Sequence, residues 1–354
     1  VLEARILLMD EPTASITPHE TDVLFRLLRQ LRDDGAAIVF VSHKLEEVFQ
    51  LCDTVTVLRD GQNACAALPL STLDRADVVR FMIGRDERTA SLGAKPFDEA
   101  KVALRLNGIA TEDGHRAVSL TLHRGEILGL YGLVGAGRSE LAKALIGLRR
   151  ITAGTVEVGG EPAAIDSVTT ALSRYRIGYI SEDRKAEGLI LMHDVGANIG
   201  ITIWRRLAAL FGWLGEGRVR AAVRPFIDKL AIRTPSLAQK VGNLSGGNQQ
   251  KVSVAKWLAA EVDVLIVDEP TVGIDIKTKT DLHELIWQLA RDGKAILLIS
   301  SDMPEMVALA DRILVMGGFR VLGEVENDHD YTRVSAAIME LIHAAEREIE
   351  RGAA

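Results

Sequence analysis

No stretch of this sequence approaches the ~18 consecutive apolar residues that a membrane-crossing helix requires, so a helical span is not expected. Cysteine is nearly missing. Cys52 and Cys65 have no metal-ligand spacing and cannot build a disulfide framework, as expected of a chain that folds in a reducing cytosol. A basic excess is also missing: the net charge of −7 argues against broad nucleic-acid binding. The opening Val1-Leu2-Glu3-Ala4-Arg5 lacks the basic start and apolar stretch of a secretory signal. It runs directly into a buried-looking strand, and we read residue 1 as a truncation point. The remaining composition, 47% hydrophobic and 26% charged, is that of an ordinary globular protein. At 354 residues there is room for about two domains with cores of their own.

The most telling shortage is of phosphate loops. Leu7-Leu8-Met9-Asp10-Glu11-Pro12-Thr13 recurs 258 residues later as Leu265-Ile266-Val267-Asp268-Glu269-Pro270-Thr271, yet one candidate loop serves both. The repeat keeps its register: Ser42 and Ser300 each follow their aspartate by 32 residues, and Asp53 and Asp311 by 43. Each copy reads as strand, helix, strand, short helix, strand, which implies an α/β fold with a mostly parallel sheet.

In the first copy Thr17-Pro18-His19-Glu20 has the form of a capping box with proline at the first helical position. Val23, Leu24, Leu27, Leu28 and Leu31 then follow helical spacing, and Gly35 supplies a stop. Ala36 to Val41 reads as a buried parallel strand. In the second copy the helix carries Leu282, Leu285, Ile286 and Leu289, stops at Gly293, and leads to the strand Ala295 to Ile299. We expect residues 1–83 and 102–345 to be separate domains joined by a polar linker over 84–101.

The loop itself is Gly132-Leu133-Val134-Gly135-Ala136-Gly137-Arg138-Ser139, between the strand Glu126 to Tyr131 and a helix over Ser139 to Leu148. Glycines let successive backbone N–H groups face a phosphate, and the following helix adds its positive end. Gly132, Gly135, Ala136, Gly137, Arg138, Ser139 and Glu140 are therefore the candidate nucleotide-binding residues, with the Ser139 hydroxyl a ligand for Mg²⁺. A Rossmann fingerprint fails, because Glu140 stands where it needs glycine. Arg138 replaces the usual lysine, and its planar fork is a poorer match to γ-phosphate transfer than a compact ammonium.

Asp10-Glu11 and Asp268-Glu269 each end an apolar strand. In such a pair one carboxylate, Asp10 or Asp268, holds the Mg²⁺ shell, and the other, Glu11 or Glu269, polarises the attacking water. Leu244-Ser245-Gly246-Gly247-Asn248-Gln249 precedes a helix over Asn248 to Ala259 and aims free N–H groups at an anion.

Together these motifs resemble an ATP-binding cassette, the motor subunit of ABC transporters. The forms Leu244-Ser245-Gly246-Gly247-Asn248-Gln249-Gln250-Lys251 and Ile180-Ser181-Glu182-Asp183-Arg184-Lys185 narrow the resemblance to fused two-cassette ATPases of bacterial monosaccharide importers. It covers nearly the whole chain, and implies a P-loop NTPase fold with a mostly parallel sheet, a helical subdomain and an antiparallel β portion. It also implies ATP and Mg²⁺ sandwiched between cassettes, so that Ser245, Gly246, Gly247 and Asn248 face the site of Asp10 and Glu11. His43 takes the position of the family's switch histidine, and Glu182 that of the glutamine sensing nucleotide and membrane partner. The second site departs from the pattern at Arg138, at Glu182 and at Ser301, which stands where a histidine is usual. No aromatic upstream of Gly132 stands out to stack on adenine; His115 is the candidate.

Gly132 precedes Asp268 by 136 residues, so a matching loop for Asp10 would begin about 126 residues before residue 1. The resemblance implies permease subunits as direct partners, a periplasmic sugar-binding protein as an indirect one, and a second cassette in cis or another copy. It implies no nucleic acid, and a peripheral place on the cytoplasmic face of the inner membrane. The stretch after Glu182, including Asp194 to Ile201, is the expected permease contact. The chain alone is expected to bind ATP weakly and hydrolyse little. Two rival readings are a soluble tandem cassette acting on ribosomes or nucleic acid, and an inactive cassette fragment.

Overall fold

The computed structural model describes residues 5–13, 18–42, 45–59, 62–83, 92, 95–133, 135–208 and 215–352. The chain divides into two compact units, residues 1–88 with 275–277, and residues 89–274 with 278–354.

In the first unit, strand β1 (Ile6–Asp10), helix α1 (Pro18–Asp33), strand β2 (Ala37–Val41), helix α2 (Leu45–Leu51) and strand β3 (Thr54–Arg59) follow one another. Strand β4 (Gln62–Pro69) pairs antiparallel with β3, and helix α3 (Arg75–Ile83) closes the unit. Strands β1 and β2 are parallel, Ile6 opposite Ala37 through to Asp10 opposite Val41. The candidate cap Thr17 lies outside the described residues. Helix α1 buries Phe25 and Leu28, whereas Val23 and Leu27, expected on the inner face, are exposed. The β1–β2 strands also differ from the buried strands expected: Leu8 is 78% exposed and Val39 50%. Among the described residues they pair only with each other, so one set of side chains has no layer over it.

The second unit opens with an antiparallel portion, strands β5 (Val102–Thr111) and β6 (Val118–His123). Strand β7 (Ile127–Gly132) and helix α4 (Arg138–Leu145) flank the glycine loop. Strands β8 (Ile151–Val158) and β9 (Glu161–Ala163) complete the antiparallel sheet in the order β6-β5-β8-β9. Helix α5 (Val168–Ser173) and strand β10 (Ile177–Ile180) lead to helices α6 (Val195–Gly200), α7 (Trp204–Leu207), α8 (Glu216–Lys229) and α9 (Gly246–Ala259). The chain then returns through strand β11 (Val264–Asp268), helix α10 (Ile276–Arg291), strand β12 (Ala295–Ser300) and helix α11 (Met303–Leu309). Strands β13 (Arg312–Gly317) and β14 (Arg320–Glu326) and helix α12 (Tyr331–Gly352) end it.

The central sheet runs β10-β11-β12-β7-β13-β14, parallel except for the β13–β14 pair. Successive residues of one strand feed different cores. Leu265 and Val267 pack with the α6, α8 and α9 helices, while Val264 and Ile266 pack toward the antiparallel sheet. Covered on both faces, β11 and β12 can be continuously apolar, and each fully buried Leu or Ile contributes about 1.5–3 kcal/mol.

The 258-residue repeat recurs in the fold. The bounds of β1, α1, α2 and β3 reappear with that offset in β11, α10, α11 and β13, and β12 starts at the position matching β2 and runs one residue further. The pairing register repeats too, with Val264 opposite Ala295 and Asp268 opposite Ile299. Within the stretch read as a linker, Lys95 is buried in an ion pair with Asp311, and Phe97 stacks on His123. Helix α4 stops at Leu145, short of the expected Leu148. Gly147 turns there at φ +76°, with the Ser167 backbone packed where a side chain would stand. Helix α9 starts two residues earlier than expected, at Gly246, because Ser245 is its cap and accepts from Asn248 N–H at 3.4 Å.

Candidate nucleotide site

The glycine loop leaves β7 between fixed surfaces. A Cβ on Gly132 would stand 2.5 Å from the Met316 carbonyl oxygen, so backbone occupies the space a side chain needs. Gly137 has φ +94°, and a Cβ there would meet Phe319 at 2.6 Å and His115 Nε2 at 2.9 Å. Phe319 N–H donates to the Ala136 carbonyl (3.1 Å), and His115 Nε2 donates to the Gly137 carbonyl (2.7 Å). The other ring nitrogen, Nδ1, shares a hydrogen bond with the Thr111 hydroxyl (2.6 Å). His115 is only 1% exposed. It is a brace beneath the loop rather than the adenine platform considered for it, since a ring with both faces covered offers nothing to stack on.

Arg138 and Ser139 begin α4 and meet the acid pair ending β11. Ser139 Oγ donates to Asp268 Oδ1 (3.1 Å), and Tyr179 Oη donates to Oδ2 (2.8 Å). Burial pushes the Asp268 carboxyl up to about 6, against the opposing pull of those two bonds. Burial and the Asp268 carboxylate push the Tyr179 hydroxyl up as well, so it stays a donor. Arg138 Nη1 lies 3.3 Å from Glu269 Oε1, both side chains 9% exposed, and makes no hydrogen bond of good geometry.

Glu269 is held in left-handed backbone, φ +45°, by its N–H bond to the Ile299 carbonyl (2.9 Å). Burial raises its carboxyl; backbone and hydroxyl donors of Ser301, together with Arg138, work the other way. Ser301, which stands where a histidine is usual, therefore donates to the acid itself. Behind it, buried Glu305 accepts from Ser300 Oγ (2.6 Å) and bonds His283 Nε2 (2.7 Å).

Glu140 lies in the first turn of α4. Glu182 is exposed in the turn after β10, and its charge reaches Asp268. The structure thus gathers Arg138, Ser139, Asp268 and Glu269 around one loop, with Glu182 at its edge. Ser245, Gly246, Gly247 and Asn248 form a separate turn, where Asn248 Nδ2 donates to Ser245 Oγ at 2.9 Å. Tyr179 was missed by the sequence reading; its one signal is a hydroxyl inside the otherwise apolar strand Ile177–Ile180. Arg184 was passed over within the charge run Ser181–Lys185.

In the first unit Glu11 repeats the left-handed turn, φ +43°, with N–H to the Val41 carbonyl at 2.9 Å. Glu47, 258 residues before Glu305, accepts from Thr13 (2.7 Å) and Ser42 (3.1 Å). Asp10 and Glu11 are exposed. His43 lies outside the described residues.

The model of the family described as ABC transporter matches residues 115–272, from His115 under the loop to Val272 beyond the acid pair. The chain belongs to the ABC transporter ATP-binding proteins. Among them it is 44% identical over 328 residues to the ribose import ATP-binding protein RbsA 3 of Rubrobacter xylanophilus, covering 92% of this chain and 65% of that protein. It is 41% identical over 327 residues to the arabinose import ATP-binding protein AraG of Azospirillum brasilense, covering 92% and 62%. The chain therefore spans less than two thirds of the length of these curated relatives. The cassette fold is likewise that of MJ1267, an ATP-binding cassette in its ADP conformation, at TM-score 0.56 and 18% identity over 68% of this chain and 98% of that one. For cbiO1 of Clostridium perfringens the TM-score is 0.55 at 21% identity, covering 71% and 97%.

The oxygen pair Ser139–Asp268 suits a hard cation such as Mg²⁺. Among the described residues no three His, Cys, Asp or Glu side chains gather to hold a metal alone, so further ligands would come from phosphate and water.

Proposed function

We propose that residues 102–345 form an ATP-binding cassette that takes MgATP on Gly132–Ser139, hydrolyses it little, and serves a monosaccharide importer. One observation carries the low turnover: Arg138, the cation of the phosphate loop, is committed to Glu269, the acid that would polarise water. A guanidinium engaged by the general base weakens the base and is diverted from the γ-phosphate. Mg²⁺, held by Ser139 and Asp268, would neutralise phosphate charge. Glu269 would orient water, with Ser301 fixing its rotamer in place of a histidine, and Glu140 and Glu182 would border the nucleotide. Ser245, Gly246, Gly247 and Asn248 would present their amides to nucleotide on another cassette.

Residues 1–83 are proposed as the C-terminal part of a first cassette, with 84–101 joining it to the second. Asp10 would bind Mg²⁺, and Glu11 and His43 would act on water, with a phosphate loop that this sequence does not contain. The import role is supported by the names of the relatives, ribose and arabinose import proteins. No helix among the described residues is long and apolar enough to cross a membrane, and the proposed place is peripheral, under permease subunits. The contact surface is proposed at 190–204, which exposes Ile190, Met192 (82%), Ile201 and Trp204 around the α6 helix. Calorimetry with MgATP and a hydrolysis assay on the chain test the reading. Robust turnover that disappears in Glu269→Gln would overturn it, as would no nucleotide binding at all.

A further inference from the structure

The turn from Ser181 to Gly188 is tied down at its base. Asp183 Oδ1 accepts from Lys185 N–H (3.0 Å) and Ala186 N–H (2.9 Å), and Ser181 Oγ donates to the Asp183 carbonyl (3.2 Å). At its far end Lys256 Nζ, from the buried face of α9, donates to the Gly188 carbonyl (2.6 Å). One side of the turn is thereby fixed to α9, the helix that begins at the Ser245-Gly246-Gly247 turn, called the signature turn below.

Arg184 reaches out of the other side. Its Nη1 donates to the Val272 carbonyl (3.0 Å) and its Nη2 to the Gly273 carbonyl (3.3 Å). Those carbonyls belong to the chain leaving Asp268-Glu269, where Val272 N–H bonds back to Glu269 O (3.4 Å) and Gly273 is left-handed at φ +68°. The guanidinium also lies against the signature turn: a Cβ on Gly246 would stand 2.9 Å from Nη2. One planar cation thus touches three pieces of the site. They are the turn bearing Glu182, the exit from the acid pair, and the first residue of the signature helix. A lysine could supply the charge but not two donors in a rigid fork.

We propose that Arg184 is a positioning residue that carries a shift of the Glu182 turn, on nucleotide binding, to residues 271–274 and to Ser245-Gly246. This rests on the reading of Gly132–Ser139 as a nucleotide site. Because Arg184 holds the Val272 and Gly273 carbonyls by a fork and packs against Gly246, displacement of the turn pulls on the first segment and changes the packing of the second. Removing the fork leaves the phosphate loop intact and cuts the transmission.

Amide hydrogen exchange on the full 354-residue chain, with and without MgATP, tests this in wild type, Arg184→Lys and Arg184→Gln. Without nucleotide, Arg184→Gln should exchange roughly tenfold faster over 271–274, the loss of one or two charge-assisted hydrogen bonds. With MgATP, wild type should respond at 181–188, 245–249 and 271–274 together. Arg184→Gln should keep the first response and lose the other two, with its MgATP affinity by calorimetry unchanged, and Arg184→Lys should fall between. A full response at 271–274 in Arg184→Gln, or unchanged exchange there without nucleotide, overturns the proposal. Absence of MgATP binding by wild type instead overturns the nucleotide-site reading, and the coupling with it.

Discussion

Arg138 and Glu269 face each other at 3.3 Å, the cation of the glycine loop against the acid that follows Asp268. The pair forms because α4 starts at Arg138 directly above the end of β11, and because both side chains are almost wholly buried. An anion arriving at the loop competes with Glu269 for the guanidinium.

That competition is measurable. Glu269→Gln removes the rival charge and should tighten MgATP binding roughly fivefold, about 1 kcal/mol, while turnover stays low. Calorimetry on the two proteins decides it, and equal or weaker affinity in the variant counts against the pair as a competitor.

Asp268 ties folding to pH. Its carboxyl is raised from the ordinary 3.8 to about 6 in the fold by burial. For an acid raised on folding, the native state loses stability as pH climbs from the unfolded value through 6, and the full cost, about 3 kcal/mol, stands above it. In metal-free protein, Asp268→Asn should therefore stabilise more at pH 8 than at pH 5, by on the order of 1 kcal/mol. Urea melts in chelator would show it. A benefit that is equal at both pH values would mean that the carboxyl titrates normally.

Gly132→Ala forces a methyl against the Met316 carbonyl, a backbone atom that cannot rotate away. A loss of about 1–3 kcal/mol is expected, with weaker nucleotide binding because the loop moves with β7. A thermal melt unchanged from wild type would contradict the packing around this strand end.

Met192→Glu changes an exposed side chain on the proposed permease surface. The cassette should keep its melting temperature and MgATP affinity but lose co-purification with permease subunits, since a charge replaces apolar contact area. Retained association would move the contact elsewhere.

Much of this was legible in the chain. Apolar runs ending in Asp-Glu specified strands β1 and β11, and the 258-residue spacing carried over to their register with β2 and β12. Local rules sufficed for the presence and order of these strands, because apolar runs and helix spacing are written in neighbouring residues. The expected burial holds for β11 and β12 and not for β1 and β2. Helix α1 shows where local rules stop: Val23 and Leu27 have the right spacing but lie exposed, and Phe25 takes the core. Which side of an apolar stripe is buried depends on the layer packed against it.

The glycine loop, the two acid pairs, the signature turn and the family were determined by sequence, because each is a short motif whose residue types have one shared chemical use. Tertiary structure decided what those residues meet. It turned His115 from an adenine platform into a brace, set Tyr179 on Asp268, committed Arg138 to Glu269, and placed Arg184 among three segments. These relationships span 22 to 131 positions of sequence. Only folding brings such residues within hydrogen-bond distance, and at that range burial and pairing, not residue type, set charge and partner.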